Sequence, residues 1–298
     1  MLSVLTAHAG PPPTPEDLWD AWTLDPVLSL TLLAVGWTYW RGLSAHHRKP
    51  PYRWRTWSFA FGLLALGVAL LSPLDELSTA LASAHMAQHL LLMVVAAPLI
   101  AASRPLSTLR RGVAGLESVE RWWLRTGARA RVRGIMRLPL FAWILHTATF
   151  WFWHASVPYQ AALRTETVHI LQHSTFFLTA LLFWSTLTRV RRTQEVGWGI
   201  GVLLIFALAT QGTILAALMA FGRTPWYGAY AGTTVPWGLE PLADQHLAAV
   251  IMWIPAGMIY LGAALALMSS WMKEADREGV GNAVASTKPH KRVPGSLR

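Results

Sequence analysis

The stretch GIGVLLIFALATQGTILAALMAF, from Gly199 to Phe221, is apolar on every side when it is drawn as a helix. A helix on the surface of a soluble protein keeps a polar stripe, whereas a helix in lipid needs apolar side chains all round. The whole chain agrees with this segment, since 53% of its 298 residues are hydrophobic and only 13% are charged. The composition therefore indicates a membrane protein.

Seven segments are long and apolar enough to cross a hydrocarbon layer, which takes roughly 17 to 25 residues. They lie at about residues 27–43, 56–72, 78–102, 138–157, 168–188, 198–221 and 244–270. We therefore predict an all-α membrane protein, a bundle of seven transmembrane helices within residues 27–272. An external N-terminal arm is expected over residues 1–26, and a disordered cytoplasmic tail rich in Gly, Lys, Pro and Ser over residues 273–298.

The basic residues predict the orientation, because Lys and Arg concentrate in cytoplasmic loops. With the N-terminus outside and the C-terminus cytoplasmic, 23 of the 25 Lys and Arg fall on the inner side, and only Arg164 and Arg223 fall outside. The outer segments then hold the acidic residues Asp75, Glu76 and Asp244 among others.

The net charge of +10 needs no nucleic acid as a partner, since the Arg residues lie on one membrane face. The segment from Arg110 to Arg137 places Trp122, Trp123 and Leu124 among arginines. This pattern is typical of a helix that lies in the inner interface on anionic membrane lipids.

Cysteine is absent, which excludes disulfides, thiolate metal sites and thiol redox chemistry in this chain. Eleven histidines are present, and two pairs have the i, i+4 spacing that places both imidazoles on one helix face: His85 with His89, and His169 with His173. Polar groups in a membrane tend to mark function. Because imidazole is the commonest ligand of zinc, copper and haem iron, both pairs are candidate ligands of one metal or cofactor site near the outer leaflet.

Several residues around these pairs have more than one interpretation. His154 and Met86 are candidate helpers, and the thioethers of Met86, Met93 and Met252 would favour Cu(I), although methionine in apolar helices is often filler. His146 fits a structural bond to a neighbouring helix, and His154 and His246 also fit an interfacial position. Asp75, Glu76, Asp244 and Gln245 can orient imidazoles or gather cations, or can be ordinary loop residues. The outer loop from Arg223 to Asp244 fits a lid, a docking surface or an aromatic belt.

Three stretches resemble the signatures of the multi-pass CtaG family of cytochrome c oxidase assembly factors. They are SPLDELSTALASAHMAQHLLLMVVAAPLIA (Ser72 to Ala101), WFWHASVPYQAALRTETVHILQHSTFFLTALLFW (Trp151 to Trp184) and PLADQHLAAVIMWIPAG (Pro241 to Gly257).

The resemblance implies a seven-span protein of the bacterial plasma membrane that helps to assemble a haem-copper oxidase and takes part in supplying its copper. It places His85, Met86, His89, His154, His169 and His173 at signature positions. His246 follows DQ where the family more often has Gln, and His146 lies outside the signatures.

Three hypotheses follow. The first is a non-enzymatic assembly factor that holds copper and passes it to an oxidase subunit, since no set of nucleophile, base and orienting group stands out. The second is a membrane cytochrome, because buried histidines also serve as axial haem ligands. The third is a metal-free scaffold or chaperone for oxidase subunits that uses its histidines structurally.

Overall fold

The computed structural model describes residues 11–45, 52–113, 138–193 and 197–286, and within these ranges all regular structure is helical. The longer elements are α1 (Pro26–Ser44), α2 (Arg53–Leu71), α3 (Pro73–Ala80), α4 (Ala82–Leu90), a π-helix (Leu91–Ala96), α5 (Ala97–Ser103), α6 (Leu106–Gly112), α7 (Pro139–His154), α8 (Ser156–Arg164), α9 (Glu166–Thr193), α10 (Trp198–Ala220) and α11 (Pro241–Ser286). Two 3₁₀ turns, Gly228–Tyr230 and Val235–Trp237, lie between α10 and α11.

Five of the described helical segments are long and apolar enough to cross a membrane: Arg53–Leu71, Ala82–Ser103, Glu166–Thr188, Trp198–Ala220 and Pro241–Glu274. They correspond to the second, third, fifth, sixth and seventh predicted spans. The first and fourth predicted spans are helices α1 and α7. With 16 residues, α7 is shorter than a typical span, and α1 has the length but is less apolar. The total of seven spans stays a prediction.

The third predicted span begins four residues later than expected, because the helix is interrupted at Leu81. There φ is −131° and ψ is 129°, an extended conformation that separates α3 from α4. The Ser72 hydroxyl caps α3, Pro73 occupies its first turn, and Asp75 and Glu76 follow there, which are all favourable at a helix N-terminus. The fourth predicted span likewise ends at His154, where extended Ala155 separates α7 from α8.

Two large apolar clusters and a small third one, Ala80, Leu81 and Ala84, pack the described helices together. The larger cluster contains residues of α4, the π-helix, α5 and every helix from α7 through α11, and the smaller of the two large clusters packs α1 and α2 against the π-helix and α5. On the smaller side, α1 and α6 approach so closely that a Cβ on Gly42 would lie 1.9 Å from the Thr108 carbonyl oxygen. The same holds for Gly112 and Thr38, so α6 packs directly on α1.

Three spans run in the same direction: the span formed by α4, the π-helix and α5, the span of α9, and the span of α11. The carboxylate of Asp244, at the start of α11, accepts hydrogen bonds from Ala82 and Ser83 at the start of α4. At the opposite end, the Arg104 guanidinium after α5 donates to the Thr188 carbonyl of α9. The acidic residues and the arginines that end these spans therefore lie at opposite ends of the bundle.

Two expectations from the sequence fall partly or wholly outside the described residues. The last helix continues to Ser286, so residues 273–286 are helical where we expected a disordered tail; residues 287–298 are not described. The expected lipid-binding segment, Arg110 to Arg137, is described only as far as residue 113, and residues 114–137 lie outside the described ranges.

Candidate metal centre

Five of the histidines come together at the end of the bundle where α4, α9 and α11 begin. His85 and His89 lie on α4, His154 ends α7, and His169 and His173 lie in the first two turns of α9. All five are buried, with at most 7% of any of them exposed. Their ring centroids are separated by 4.3 Å for His85 and His89, 4.0 Å for His169 and His173, 5.4 Å for His85 and His169, 5.3 Å for His89 and His173, and 5.8 Å for His89 and His154.

Three of these side chains have the geometry of a metal-ligand set. One ring nitrogen from each of His85, His169 and His173 lies within 4.8 Å of the other two. A metal ion about 2.0–2.1 Å from each of three nitrogens in a trigonal arrangement holds them about 3.6 Å apart. Side-chain rotations that bring the nitrogens about 1 Å closer together would therefore close the triad on an ion.

Hydrogen bonds to two imidazoles are compatible with the protonation that metal binding needs. With the Tyr230 hydroxyl donating its single proton to the Ser78 carbonyl at 2.9 Å, Nδ1–H of His85, 3.3 Å away, is the donor to that hydroxyl. The Phe150 carbonyl can only accept, so Nδ1 of His154, at 2.7 Å, must also carry a proton. Nε2 of both rings then carries the lone pair that a metal needs.

His89 lies beside the triad and contacts the rest of the cluster. Its ring is near those of His85, His173 and His154, and it packs on Phe176 at 4.6 Å. Both of its ring nitrogens are buried without a hydrogen-bond partner among the described residues. Because an unsatisfied buried polar group costs about 1–3 kcal/mol, an imidazole in this state favours a ligand.

The acidic residues that we expected near the histidines support the helix that carries them. In a continuous helix, the N–H of Ala82 would bond to the carbonyl of Ser78. Here that N–H donates to Asp244 Oδ2 at 2.6 Å, and the Ser78 carbonyl accepts from Tyr230. Asp244 is fully buried and places its negative charge at the N-terminus of α4, where the helix dipole favours an anion. It is therefore no ordinary loop acid.

Asp75 and Gln245 are likewise buried and bonded. Asp75 Oδ1 accepts from the Gln88 amide at 2.6 Å, and Gln88 also donates to the Ala69 carbonyl. Gln245 accepts from the Trp226 N–H at 2.7 Å and donates to the Met219 carbonyl at 3.0 Å. The bonds of Gln88 join α4 to α3 and α2, and the bonds of Gln245 join α11 to the end of α10 and to the loop that follows α10.

The loop between α10 and α11 covers the histidine cluster. Tyr227 stacks on Tyr159 of α8 with ring centroids 3.8 Å apart, and its hydroxyl donates to the His154 carbonyl at 2.9 Å. Thr233 donates to the Ala80 carbonyl, next to the break before α4. Burial raises the pKa of the Tyr227 and Tyr230 phenols, so both hydroxyls stay protonated. Since these two tyrosines are at most 3% exposed, they cover the site and do not form an aromatic belt at the lipid interface.

The remaining candidates from the sequence have other packing or hydrogen-bond partners. Met86 is fully buried in the larger apolar cluster. His146 bonds through Nδ1 to the Thr179 hydroxyl at 2.9 Å, which is the structural bond that one interpretation expected. His246 is half-buried, with Nε2 3.3 Å from the Gly222 carbonyl oxygen.

Sequence reasoning missed the individual roles of Tyr159 and Tyr230. The only signal for Tyr230 was the aromatic composition of its loop, and Tyr159 lies in a segment that was expected to be an external connection. Nothing in the local sequence indicates that a tyrosine hydroxyl far along the chain meets His85.

These features define a class of protein: a helical membrane protein with a buried histidine cluster beneath a tyrosine-bearing loop. The chain belongs to the family of cytochrome c oxidase caa3 assembly factors (Caa3_CtaG), whose model matches residues 37–274. The predicted family membership is therefore confirmed, and the family's role is the assembly of cytochrome c oxidase.

Curated relatives occur in mycobacteria. The chain is 24% identical over 278 residues to uncharacterized proteins of Mycobacterium bovis and Mycobacterium tuberculosis, and 22% identical over 278 residues to one of Mycobacterium leprae. These matches cover 89–90% of this chain but only 42% of each relative, so the chain spans less than half of their length. No solved structure matches the chain.

Proposed function

We propose that this protein is a non-enzymatic assembly factor that binds copper at the outer side of the bacterial plasma membrane and delivers it to a subunit of a haem-copper oxidase. Family membership supports the oxidase as the client. The observation that carries the copper-binding part is the triad of His85, His169 and His173, with ligand nitrogens within 4.8 Å of one another, and with His89 and His154 beside it.

The chemistry of the cluster favours copper in its monovalent form. The five rings are neutral ligands, and the carboxylate of Asp244 is engaged with the backbone of α4. A buried site without an anionic ligand must hold the whole charge of the ion, so one positive charge is less costly there than two. Imidazole donors suit copper, and a trigonal set of three suits Cu(I).

Delivery requires access to the cluster from outside. The loop of Tyr227 and Tyr230 lies between the histidines and the surrounding water. The hydroxyls of these two tyrosines bond to His154 and His85, which belong to the cluster. Movement of this loop would expose the triad to an oxidase subunit. The outer side is inferred from the charge distribution, in which every Lys and Arg except Arg164 and Arg223 is expected at the other end of the bundle.

Haem fits the same residues less well. A porphyrin between two axial imidazoles needs an open plane, whereas aromatic side chains fill the space around these rings. Phe176 lies 4.6 Å from His89 and 5.6 Å from His154, and Tyr159 lies 4.9 Å from His85, measured between ring centroids. Two histidines of the cluster also come from each of α4 and α9, where axial ligation would use one from each.

The test is the copper content of the purified full-length chain, measured with its absorption spectrum and thermal midpoint. His85→Ala, His169→Ala and His173→Ala should each lower copper affinity by more than the 10- to 100-fold typical of a group that only orients a ligand. His246→Ala is the matched control, because His246 lies at the same end of the bundle but outside the cluster. The same variants should impair oxidase maturation in cells while the protein still inserts.

Three results would overturn this proposal. If the wild type purified under copper-replete conditions holds no copper, or if the three cluster variants retain wild-type copper, the metal-free scaffold replaces it. A strong Soret band with stoichiometric iron would replace it with the membrane cytochrome.

A further inference from the structure

A cavity lies next to the histidine cluster, deeper in the helix bundle. Its volume is about 40 Å³, and its polar and sulfur-bearing lining consists of His89, Met93, His146, Gln211, Met252 and Tyr260. The rest of the described lining is apolar, and none of the described lining residues is Lys, Arg, Asp or Glu. The cavity therefore offers neutral donors and no charge.

His89 belongs to both places. Its ring is 4.3 Å from that of His85 in the cluster, and the same side chain lines the cavity. Because neither ring nitrogen has a hydrogen-bond partner among the described residues, one can face each site. An ion leaving the triad would thus meet His89 before it meets the cavity.

His146 presents a lone pair to this region. With the Thr179 hydroxyl donating its proton to the Thr175 carbonyl at 2.7 Å, Nδ1–H of His146 is the donor to that hydroxyl. The lone pair of His146 is therefore on Nε2, the form that binds a metal. A structural hydrogen bond and a ligand role are compatible here, because they use different nitrogens.

Met93 reaches the cavity from an unusual stretch of backbone. It lies in the π-helix, four residues after His89, where the Ala97 N–H bonds to the Leu92 carbonyl. In this register the Met93 carbonyl would accept from residue 98, but Pro98 has no N–H. The Trp184 indole N–H donates to that carbonyl at 3.1 Å instead. Single turns of π-helix often mark functional sites, and this one fixes the position of Met93.

We propose that this cavity is a second binding site for a monovalent soft metal ion, Cu(I), held by the thioethers of Met93 and Met252 and by Nε2 of His146 and reached through His89. Thioether and imidazole donors without an anion select Cu(I) over divalent ions. As a step beyond the triad, the site rests on the proposed copper-binding function. The Gln211 amide oxygen, buried in the same lining without a hydrogen-bond partner among the described residues, adds a dipole that favours a cation.

Silver(I) is the probe, because it mimics Cu(I) without redox chemistry. The full-length wild-type chain in detergent should bind about two silver ions, and X-ray absorption should detect sulfur ligands on one of them. Met93→Leu with Met252→Leu should remove the sulfur signal and one equivalent of silver. His85→Ala with His169→Ala should remove the other equivalent and keep the sulfur signal. Met219→Leu is the matched control, since Met219 is fully buried in the same core but does not line the cavity.

The outcomes separate the two proposals. One silver ion with nitrogen ligands only would overturn the second site and leave the triad in place. One silver ion with sulfur ligands, unaffected by the triad variants, would overturn the triad and support the cavity. Leu substitutions that unfold the chain would be detected as a lowered thermal midpoint, and in that case His146→Gln, which keeps the Met residues, should weaken silver binding at least 10-fold and leave the sulfur-free equivalent unchanged.

Discussion

Asp244 and Ser83 are separated by 161 positions in the chain and are joined by two hydrogen bonds, from the Ser83 N–H at 3.2 Å and from its hydroxyl, both to Oδ1. The other carboxylate oxygen accepts from Ala82. Together they bind the first turn of α4 to the first turn of α11. Since His85 follows within that turn of α4, the position of the triad depends on a contact with a distant helix.

Asp244→Ala should therefore lower both stability and copper binding. The substitution leaves two backbone N–H groups and a hydroxyl buried without an acceptor, and each such loss costs about 1–3 kcal/mol. It also removes a negative charge from the N-terminus of α4. The thermal midpoint and the copper content of the purified chain measure the two effects. Glu240→Ala, at an exposed position just before α11, should change neither. Wild-type copper in Asp244→Ala would show that the cap does not position His85.

Tyr230→Phe should weaken copper binding by about 10- to 100-fold, because the hydroxyl that holds Nδ1–H of His85 is lost. Tyr227→Phe is the matched control. It removes a similar hydrogen bond from the same loop, but its partner is the backbone carbonyl of His154 and not a ring nitrogen. Copper titration of both variants decides the matter: equal affinities would mean that Tyr230 only packs the loop.

Orientation can be measured directly, because the chain contains no native cysteine. Glu240→Cys and Lys273→Cys place single thiols at exposed positions near the two ends of the apolar span Pro241–Glu274. A membrane-impermeant maleimide should label Glu240→Cys in intact cells, and Lys273→Cys only after permeabilisation, because Lys and Arg concentrate on the cytoplasmic side. The reverse pattern would place the histidine cluster on the cytoplasmic side.

The sequence predicted the helical class and the grouping of the histidines because both depend on local spacing. Apolar runs long enough to span lipid became helices, and the i, i+4 pairs of α4 and α9 came to face each other. The family resemblance added His154, which spacing alone could not join to the pairs.

The break at Leu81 could not be predicted from the sequence around it. The hydrogen bond that a continuous helix would make between Ala82 and Ser78 is replaced by bonds to Asp244 and Tyr230, at sequence separations of 162 and 152. A hydropathy window depends only on neighbouring residues, so the predicted third span continued through Leu81. The π-helix had a local signal, Pro98, but the carbonyl that this proline leaves without a backbone donor is bonded by Trp184 from another helix.

The Trp184–Pro98 relationship gives a prediction about the π-helix. Trp184→Phe should lower the free energy of unfolding by about 1–3 kcal/mol, since the buried Met93 carbonyl loses the donor that the indole supplies. Pro98→Ala restores a backbone N–H that can bond to the same carbonyl in the π register. In the Trp184→Phe background, Pro98→Ala should therefore recover part of the loss, with a coupling of about 0.5–3 kcal/mol between the two changes. Thermal and denaturant unfolding of the two single variants and the double variant measure it. Trp143→Phe, a tryptophan whose indole N–H has no acceptor among the described residues, is the control and should show no coupling to Pro98→Ala. Strict additivity for Trp184 and Pro98 would mean that the missing proline N–H is not what the indole replaces.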